Sequence, residues 1–345
     1  MSNLIIFNYE MNQDSKALAF CIDWVNAIAK NFDKVFVITL RKGKFIVDSN
    51  VEVFSLDSDR TDRIIQILKL YKILFKLHKT HKIDGYFVHM AHKFVPFIYP
   101  FAKYYNQKIV LWYAHKSIPM SLKISEKLVD RIFSISFQSM RLQTDKFKPI
   151  GHGIDTANRF ILKDSFSKKI KNIITVGRIS KVKNTDLIVK SFLSLNKDDI
   201  FLYIAGDVVS NEDKIYLQEI KKLIPKEKEK NIIFLGNVSF DELPKFMQKI
   251  DLAVNLGDGA LDKAILEPMA MGIPIITSND SAKELFGYLD NKGVYLIDKN
   301  NLEDKLKELV DNELKYNPKE LREEVVKNHS LDRLAKIISK EFIND

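Results

Sequence analysis

The feature that most constrains this chain is a rhythm. Short apolar runs, each long enough for one buried strand, alternate with longer stretches of helical periodicity from one end to the other. Such runs form βαβ units, and βαβ units build parallel sheets covered by helices on both faces. In the first half the strand candidates are Leu4–Phe7, Val35–Thr39, Val51–Ser55, Gly85–Val88, Ile109–Trp112 and Arg131–Ile135. In the second half they are Asn172–Val176, Phe201–Ala205, Ile232–Leu235, Leu252–Asn255, Ile273–Thr277 and Val294–Ile297. The expectation is an α/β protein of two Rossmann-like, doubly wound domains facing across a cleft. Residues 1–160 and 161–330 form them, joined by a polar Lys/Ser-rich linker over Asn158 to Lys171. A last helix over about 330–345 is expected to pack back on the first domain. At 345 residues the chain is long enough for both cores.

The second half repeats one punctuation. Four successive strands run into Gly177-Arg178, Gly206-Asp207, Gly236-Asn237 and Gly257-Asp258. One such pair is only a turn signal. Four at the same edge of one parallel sheet describe a ligand-binding rim. The richest segment is Leu252 to Thr277, LAVNLGDGALDKAILEPMAMGIPIIT. Its strand ends at a glycine turn, Asp262 can cap the helix that follows, and Gly272 and Pro274 stop that helix. A glycine turn and a helix N-terminus after a buried strand hold anions. Glu267 lies inside the helix, one turn after Lys263, where an acid can hydrogen-bond ribose hydroxyls. The plainer reading of Lys263 and Glu267 is an i,i+4 surface pair, worth about 0.2–0.5 kcal/mol. Arg178 and Lys183, five residues apart, put a guanidinium and an ammonium on the same rim, which suits a diphosphate.

Charge is unevenly placed. Residues 1–160 carry 24 basic against 14 acidic residues, net +10, and the remainder carries 30 against 31, net −1. Helix Asp62–His81 lines up Lys69, Lys72, Lys76 and Lys79 on one face. That face reads either as a solvated side of a sheet-packed helix or as a surface that docks on anionic lipid. With no aromatic stacking motif and no DNA-binding module, nucleic acid is not an expected partner. The single cysteine, Cys21, excludes an internal disulfide and fits a reducing compartment. The start, MSNLIIFNYEMNQ, reads as a first strand and not a signal peptide, and no run is long and apolar enough to span a bilayer. The expected location is the cytoplasm, with the inner membrane face as the docking surface. His89, His92 and His115 lack a Cys, Asp or Glu at ligand spacing, so no metal site is expected.

The motifs VGRISKVKN (Val176–Asn184), YIAGD (Tyr203–Asp207), NIIFLGNVSFDELPKFM (Asn231–Met247) and DGALDKAILEPMAMGIPII (Asp258–Ile276) resemble those of the family 4 retaining glycosyltransferases of GT-B fold. The resemblance covers essentially all of the second half. The first half shares strand order, the His115 strand end and GHGID (Gly151–Asp155), which is similar to the segment leading into the family's linker. It implies that Arg178 and Lys183 grip the diphosphate of a nucleotide sugar and that Glu267, the second glutamate of the family's E-x7-E motif, holds the ribose. It also implies that His115 faces the donor sugar. The donor-binding set becomes Gly177, Gly206, Asp207, Gly236, Asp258, Gly259, Ala260, Leu261, Asp262, Lys263 and Glu267. Catalysis falls to His115, Arg178 and Lys183.

Two departures stand out. The motif's first glutamate falls at Gly259, with Asp258 and Asp262 as nearby substitutes and Lys263 in reach of a phosphate or sugar hydroxyl. The loop after the first strand, NYEMNQDSK, lacks the family's glycine pair, leaving Asn12, Asp14 and Ser15 as acceptor-side candidates. The expected activity is transfer of a sugar, with retention, from a nucleotide diphosphate to an acceptor hydroxyl. Uridine, carried as a UDP-sugar, is the nucleoside chosen on family frequency, no cofactor is needed, and a glycan or lipid-linked acceptor in cell-envelope synthesis is the setting. The rival is a non-catalytic sugar-nucleotide-binding partner subunit, which the Gly259 departure favours.

Overall fold

A computed structural model describes residues 2–15 and 18–343. The chain divides into two compact units, residues 1–155 with 329–345, and residues 156–328. Each is an all-parallel sheet with helices on its faces. No helix among the described residues is long and apolar enough to cross a membrane.

Unit 1 holds β1 (Asn3–Met11), β2 (Lys34–Lys42), β3 (Val51–Ser55), β4 (Gly85–His89), β5 (Lys108–Trp112), β6 (Arg131–Ser134) and β7 (Phe147–Pro149), in the order β3-β2-β1-β4-β5-β6-β7. Leu4 to Phe7 are buried on both faces, as the continuous apolar runs of a covered parallel strand require. β1 and β2 are longer than their apolar runs, because backbone pairing continues through Glu10 with Arg41 and Met11 with Lys42. β7 has no apolar run to announce it. It is a three-residue edge strand ending in proline, which tolerates an edge position. The last helix, Leu331–Ser339, packs on Cys21–Ala29, and Arg333 donates to the Ile150 carbonyl at 2.7 Å.

Unit 2 holds β8 (Asn172–Val176), β9 (Phe201–Ala205), β10 (Ile232–Gly236), β11 (Leu252–Asn255), β12 (Ile275–Thr277) and β13 (Val294–Leu296), in the order β10-β9-β8-β11-β12-β13. β12 starts two residues later than its apolar run because the Ile273 N–H closes the preceding helix on the Pro268 carbonyl, at 2.9 Å. The polar stretch expected to be a linker is instead held on this unit. Phe160 is buried, and Arg322 bonds the carbonyls of Thr156, Phe160 and Ala270 at 2.7–2.8 Å. Lys163 is buried too and donates to the Ile250 carbonyl, with desolvation holding its ammonium below the usual lysine range.

Candidate active site

In unit 2 the connections from β8 lead to β9 on one side, while β11 lies on the other. Helices therefore leave to opposite faces, and a crevice opens between the carboxyl ends of β8 and β11. Its rim is formed by Gly177 after β8 and by Leu256, Gly257 and Asp258 after β11. Lys183 crosses between them from a short 3-10 turn, Lys181–Lys183. A Cβ on Gly257 would meet Lys183 Nζ at 3.1 Å, and one on Gly177 would meet its Cε at 3.5 Å. The glycines thus make room for the lysine stem.

Lys183 Nζ donates to the carboxylate of Asp262. The other Asp262 oxygen accepts the Ala264 N–H at 3.2 Å, capping helix Lys263–Ala270. A side-chain anion therefore stands between a lysine and a helix N-terminus, where a phosphate was expected. Glu267, in the same helix, is only 5% exposed. Burial pushes its carboxyl up to about 7, Lys263 opposes the rise and Asp262 adds to it.

Three asparagines that the sequence reading passed over lock this edge. Asn184, at φ 53°, donates to the Leu256 carbonyl at 2.7 Å. Asn279 caps helix Asp280–Phe286 and donates to the Gly257 carbonyl at 3.0 Å. Asn255 accepts the Gly257 N–H at 3.1 Å. Their signals were present: an asparagine just before each of two helices is a start signature. Asp258 N–H adds a bond to the Val182 carbonyl at 3.1 Å, joining the β8 and β11 loops.

The remaining glycines stitch strand ends together. Gly177 N–H donates to the Ala205 carbonyl at 2.9 Å and Gly206 N–H to the Gly236 carbonyl at 2.8 Å. A Cβ on Gly206 would lie 1.9 Å from the Gly177 carbonyl oxygen, so only glycine fits. At Gly236 and Gly259 a Cβ would meet nothing within 4 Å. Asp207 folds back on the Val208 N–H at 2.8 Å, and its carbonyl accepts from Ile179 at 3.1 Å. Asp258 pairs with Lys299, the Ala260 carbonyl sits 3.5 Å from Asn279 Nδ2, and Leu261 is buried. Arg178 does not join Lys183 on one carboxylate. Its Nε lies 3.9 Å from Asp213, on helix Asn211–Lys222, beside a cavity of about 380 Å³ bordered by Ser180, Lys181, Ser210 and Tyr216.

In unit 1, His115 is exposed three residues beyond β5, and its Nδ1 accepts the Ser117 N–H at 3.0 Å. Asn12 and Ser15 bond Glu10, at 3.3 and 2.9 Å, while Asp14 N–H bonds the Asn12 side chain at 3.2 Å. These acceptor-side candidates thus hold the loop after β1 in shape. His89 packs between Trp24 and Trp112, at ring separations of 4.5 and 5.2 Å, whereas His92 Nε2 bonds Ser121 at 2.9 Å.

Known structures share this architecture. The chain is similar to a glycosyltransferase from Rickettsia africae ESF-5, at 17% identity and a TM-score of 0.75 over 100% of this chain and 99% of that one. A sucrose-phosphate synthase from Thermosynechococcus elongatus gives 12% identity and a TM-score of 0.78 over 99% and 98%. Anabaena Alr3699/HepE, crystallised with UDP and glucose, gives 16% and 0.67 over 100% and 96%. At these identities the likeness is one of fold, the GT-B fold. No curated protein sequence matches the chain. The family model described as "Glycosyl transferases group 1" matches residues 158–331, half of the chain and the whole of the rim described above. The chain belongs to the glycosyl transferases group 1 family.

Proposed function

We propose that the protein transfers a sugar, with retention of anomeric configuration, from a nucleoside diphosphate to an acceptor hydroxyl. The observation that carries the reading is Lys183, held by glycines at the crevice between β8 and β11 beside a capped helix N-terminus and the buried Glu267. In this reading the donor's diphosphate takes over Lys183 from Asp262, and Arg178 swings from Asp213 to the second phosphate. Both cations stabilise the charge that grows as the glycosidic bond breaks, in place of a metal ion. The ribose hydroxyls donate to Glu267. The leaving phosphate oxygen takes the acceptor's proton on the face where the sugar is attacked, and His115 positions the sugar. UDP is the nucleotide we propose, in keeping with the ligand of the Anabaena protein.

We place the acceptor in cell-envelope polysaccharide or glycolipid synthesis, with unit 1 resting on an anionic membrane. Helix Arg63–Thr80 buries Leu70, Leu74 and Leu77 and leaves Ile64, Leu68 and Phe75 exposed at 73, 63 and 62%. At 100° per residue those three fall on one side, flanked by Lys72 and Lys79, which is the pattern of an interfacial helix. Of the expected basic face, Lys69 is instead tied to Asp57 and Lys76 lies over the Phe54 ring.

The test is a thermal-shift screen against UDP, GDP, ADP and CDP with their sugars, since a ligand of the native state raises the melting temperature. UDP and one UDP-sugar should stabilise the wild type, and Lys183→Ala should abolish the response. Stabilisation by none of the four nucleotides sinks the reading. Nucleotide binding without hydrolysis or transfer across a panel of acceptors would leave a binding subunit in its place.

A further inference from the structure

Unit 1 has a cavity of its own, of about 320 Å³, at the carboxyl edge of its sheet. Tyr9 of β1, Leu40 of β2, Leu56 just past β3 and Phe94 past β4 form one side of it. Residues of helix Arg63–Thr80 and Phe97 of helix Val95–Tyr104 complete it. β1 and β4 are neighbours from which the chain departs in opposite directions along the sheet, so the cavity sits at this unit's switch point. Its walls are chiefly apolar. Its charged residues are two cations, Arg63 and Lys93, both exposed. Among the described residues neither pairs with a carboxylate, and nothing bonds the Tyr9 hydroxyl. Gln66, by contrast, is already engaged with the Thr61 carbonyl at 2.7 Å.

An apolar cavity alone would hold any small apolar molecule and has no use for two unpaired cations. Two cations alone would hold any phosphate and have no use for apolar walls. Together they select a molecule with both parts. We propose that this cavity binds the first segment of the apolar chain of an anionic amphiphile, with Arg63 and Lys93 on the phosphate that joins chain to head group. Resting on the transferase reading, this names the acceptor as a lipid-linked one. The volume lies at the small end of ligand cavities, about 300–1,000 Å³, so it takes the part of the chain next to the phosphate and not a full tail. The exposed Ile64, Leu68 and Phe97 supply apolar surface for the rest.

The experiment is calorimetric titration of the full chain with decyl phosphate, decyl maltoside and inorganic phosphate, each alkyl probe below its micellar concentration. Decyl phosphate should bind at least tenfold tighter than either of the others. The double variant Arg63→Ala/Lys93→Ala should remove that advantage, bringing decyl phosphate to the level of decyl maltoside. Leu40→Trp, which fills the cavity, should weaken both alkyl probes, and Gln66→Trp serves if circular dichroism shows Leu40→Trp to be misfolded. Decyl phosphate binding that matches inorganic phosphate, or that both variants leave unchanged, overturns the proposal. A chain that responds to UDP but not to decyl phosphate loses this site and keeps the transferase reading. A chain that binds decyl phosphate as stated but responds to no nucleotide does the reverse.

Discussion

The two sheets share a strand order, first strand central and later strands added on either side, yet their carboxyl edges are built from different materials. The edge of unit 2 is backbone-rich: glycines after successive strands, carbonyls tied by Asn184 and Asn279, and cations already held by Asp262 and Asp213. In unit 1 glycine follows only β2 and β7, at Gly43 and Gly151. Around Glu10 its edge is a knot of side-chain bonds, and beside that an apolar cavity with unpaired cations. One topology can therefore carry a rigid polar cradle or an apolar slot. What differs is the end of the central strand: β8 runs into Gly177, whereas β1 runs into Asn12.

The sharpest way to break this contrast is Gly206→Ala. Its Cβ would collide with backbone that cannot rotate away, so about 3 kcal/mol of stability should be lost with the nucleotide response. Gly236→Ala, at φ 65° with open space, should cost only about 1 kcal/mol. In unit 1, a Cβ on Gly43 meets the Asn12 side chain first, and displacing it from Glu10 and the Asp14 N–H should cost less than Gly206→Ala and leave UDP binding unchanged. Urea titrations of the three would remove the distinction if Gly43→Ala proved as damaging as Gly206→Ala. Next in size is the cation itself. Lys183→Ala should lower kcat/KM by about 100- to 1,000-fold, the loss typical of one preorganised charge at a developing anion. Lys183 and Asp262 are both only half-buried, so the melting temperature should move little. Turnover near that of the wild type would strip the β8–β11 crevice of its role.

These contrasts also explain what the sequence revealed. Glycine ends strands through its own conformational freedom, so Gly177, Gly206, Gly236 and Gly257 were legible as a rim from spacing alone. Most strand positions followed from apolar runs, because a parallel strand is buried on both faces. β7 and the outer parts of β1 and β2 were not legible, since there polar and charged residues such as Glu10, Arg41 and Lys148 interrupt the apolar run while the backbone still pairs. The cavity of unit 1 was hidden for another reason. Its lining comes from four strand ends and two helices, and no motif joins residues so far apart in sequence. The separation of Arg178 from Lys183 was equally unreadable, for it depends on Asp213, thirty-odd positions downstream.

A smaller effect tests whether Asp262 is a placeholder for phosphate. Asp262→Asn keeps a good helix cap but removes the charge that competes for Lys183. UDP should then bind about three- to tenfold tighter. Weaker binding would make Asp262 part of the donor's own contact set.

The smallest effect sets the two units against each other in pH. Burial in unit 1 pushes His78 and His329 down to about 4, so the unfolded chain holds more protons than the fold between that value and 6.5. Stability supplied by their neutral forms is lost as pH falls through that window. Glu267 of unit 2 runs the other way. The fold keeps its proton up to about 7 while the unfolded chain releases it near 4.5, so its contribution is lost as pH rises from 4.5 through 7. Melting temperatures from pH 4.5 to 8 should show a shallow alkaline decline that Glu267→Gln flattens and an acid decline that His78→Gln reduces. Ribose hydroxyls donate best to an ionised carboxylate, so a UDP-sugar, whose diphosphate holds no proton in this range, should bind a few-fold tighter at pH 8 than at pH 6, with protons released. Glu267→Gln should bind it equally at both. An unchanged pH dependence in that variant would detach the buried acid from the ribose and leave it as a feature of packing.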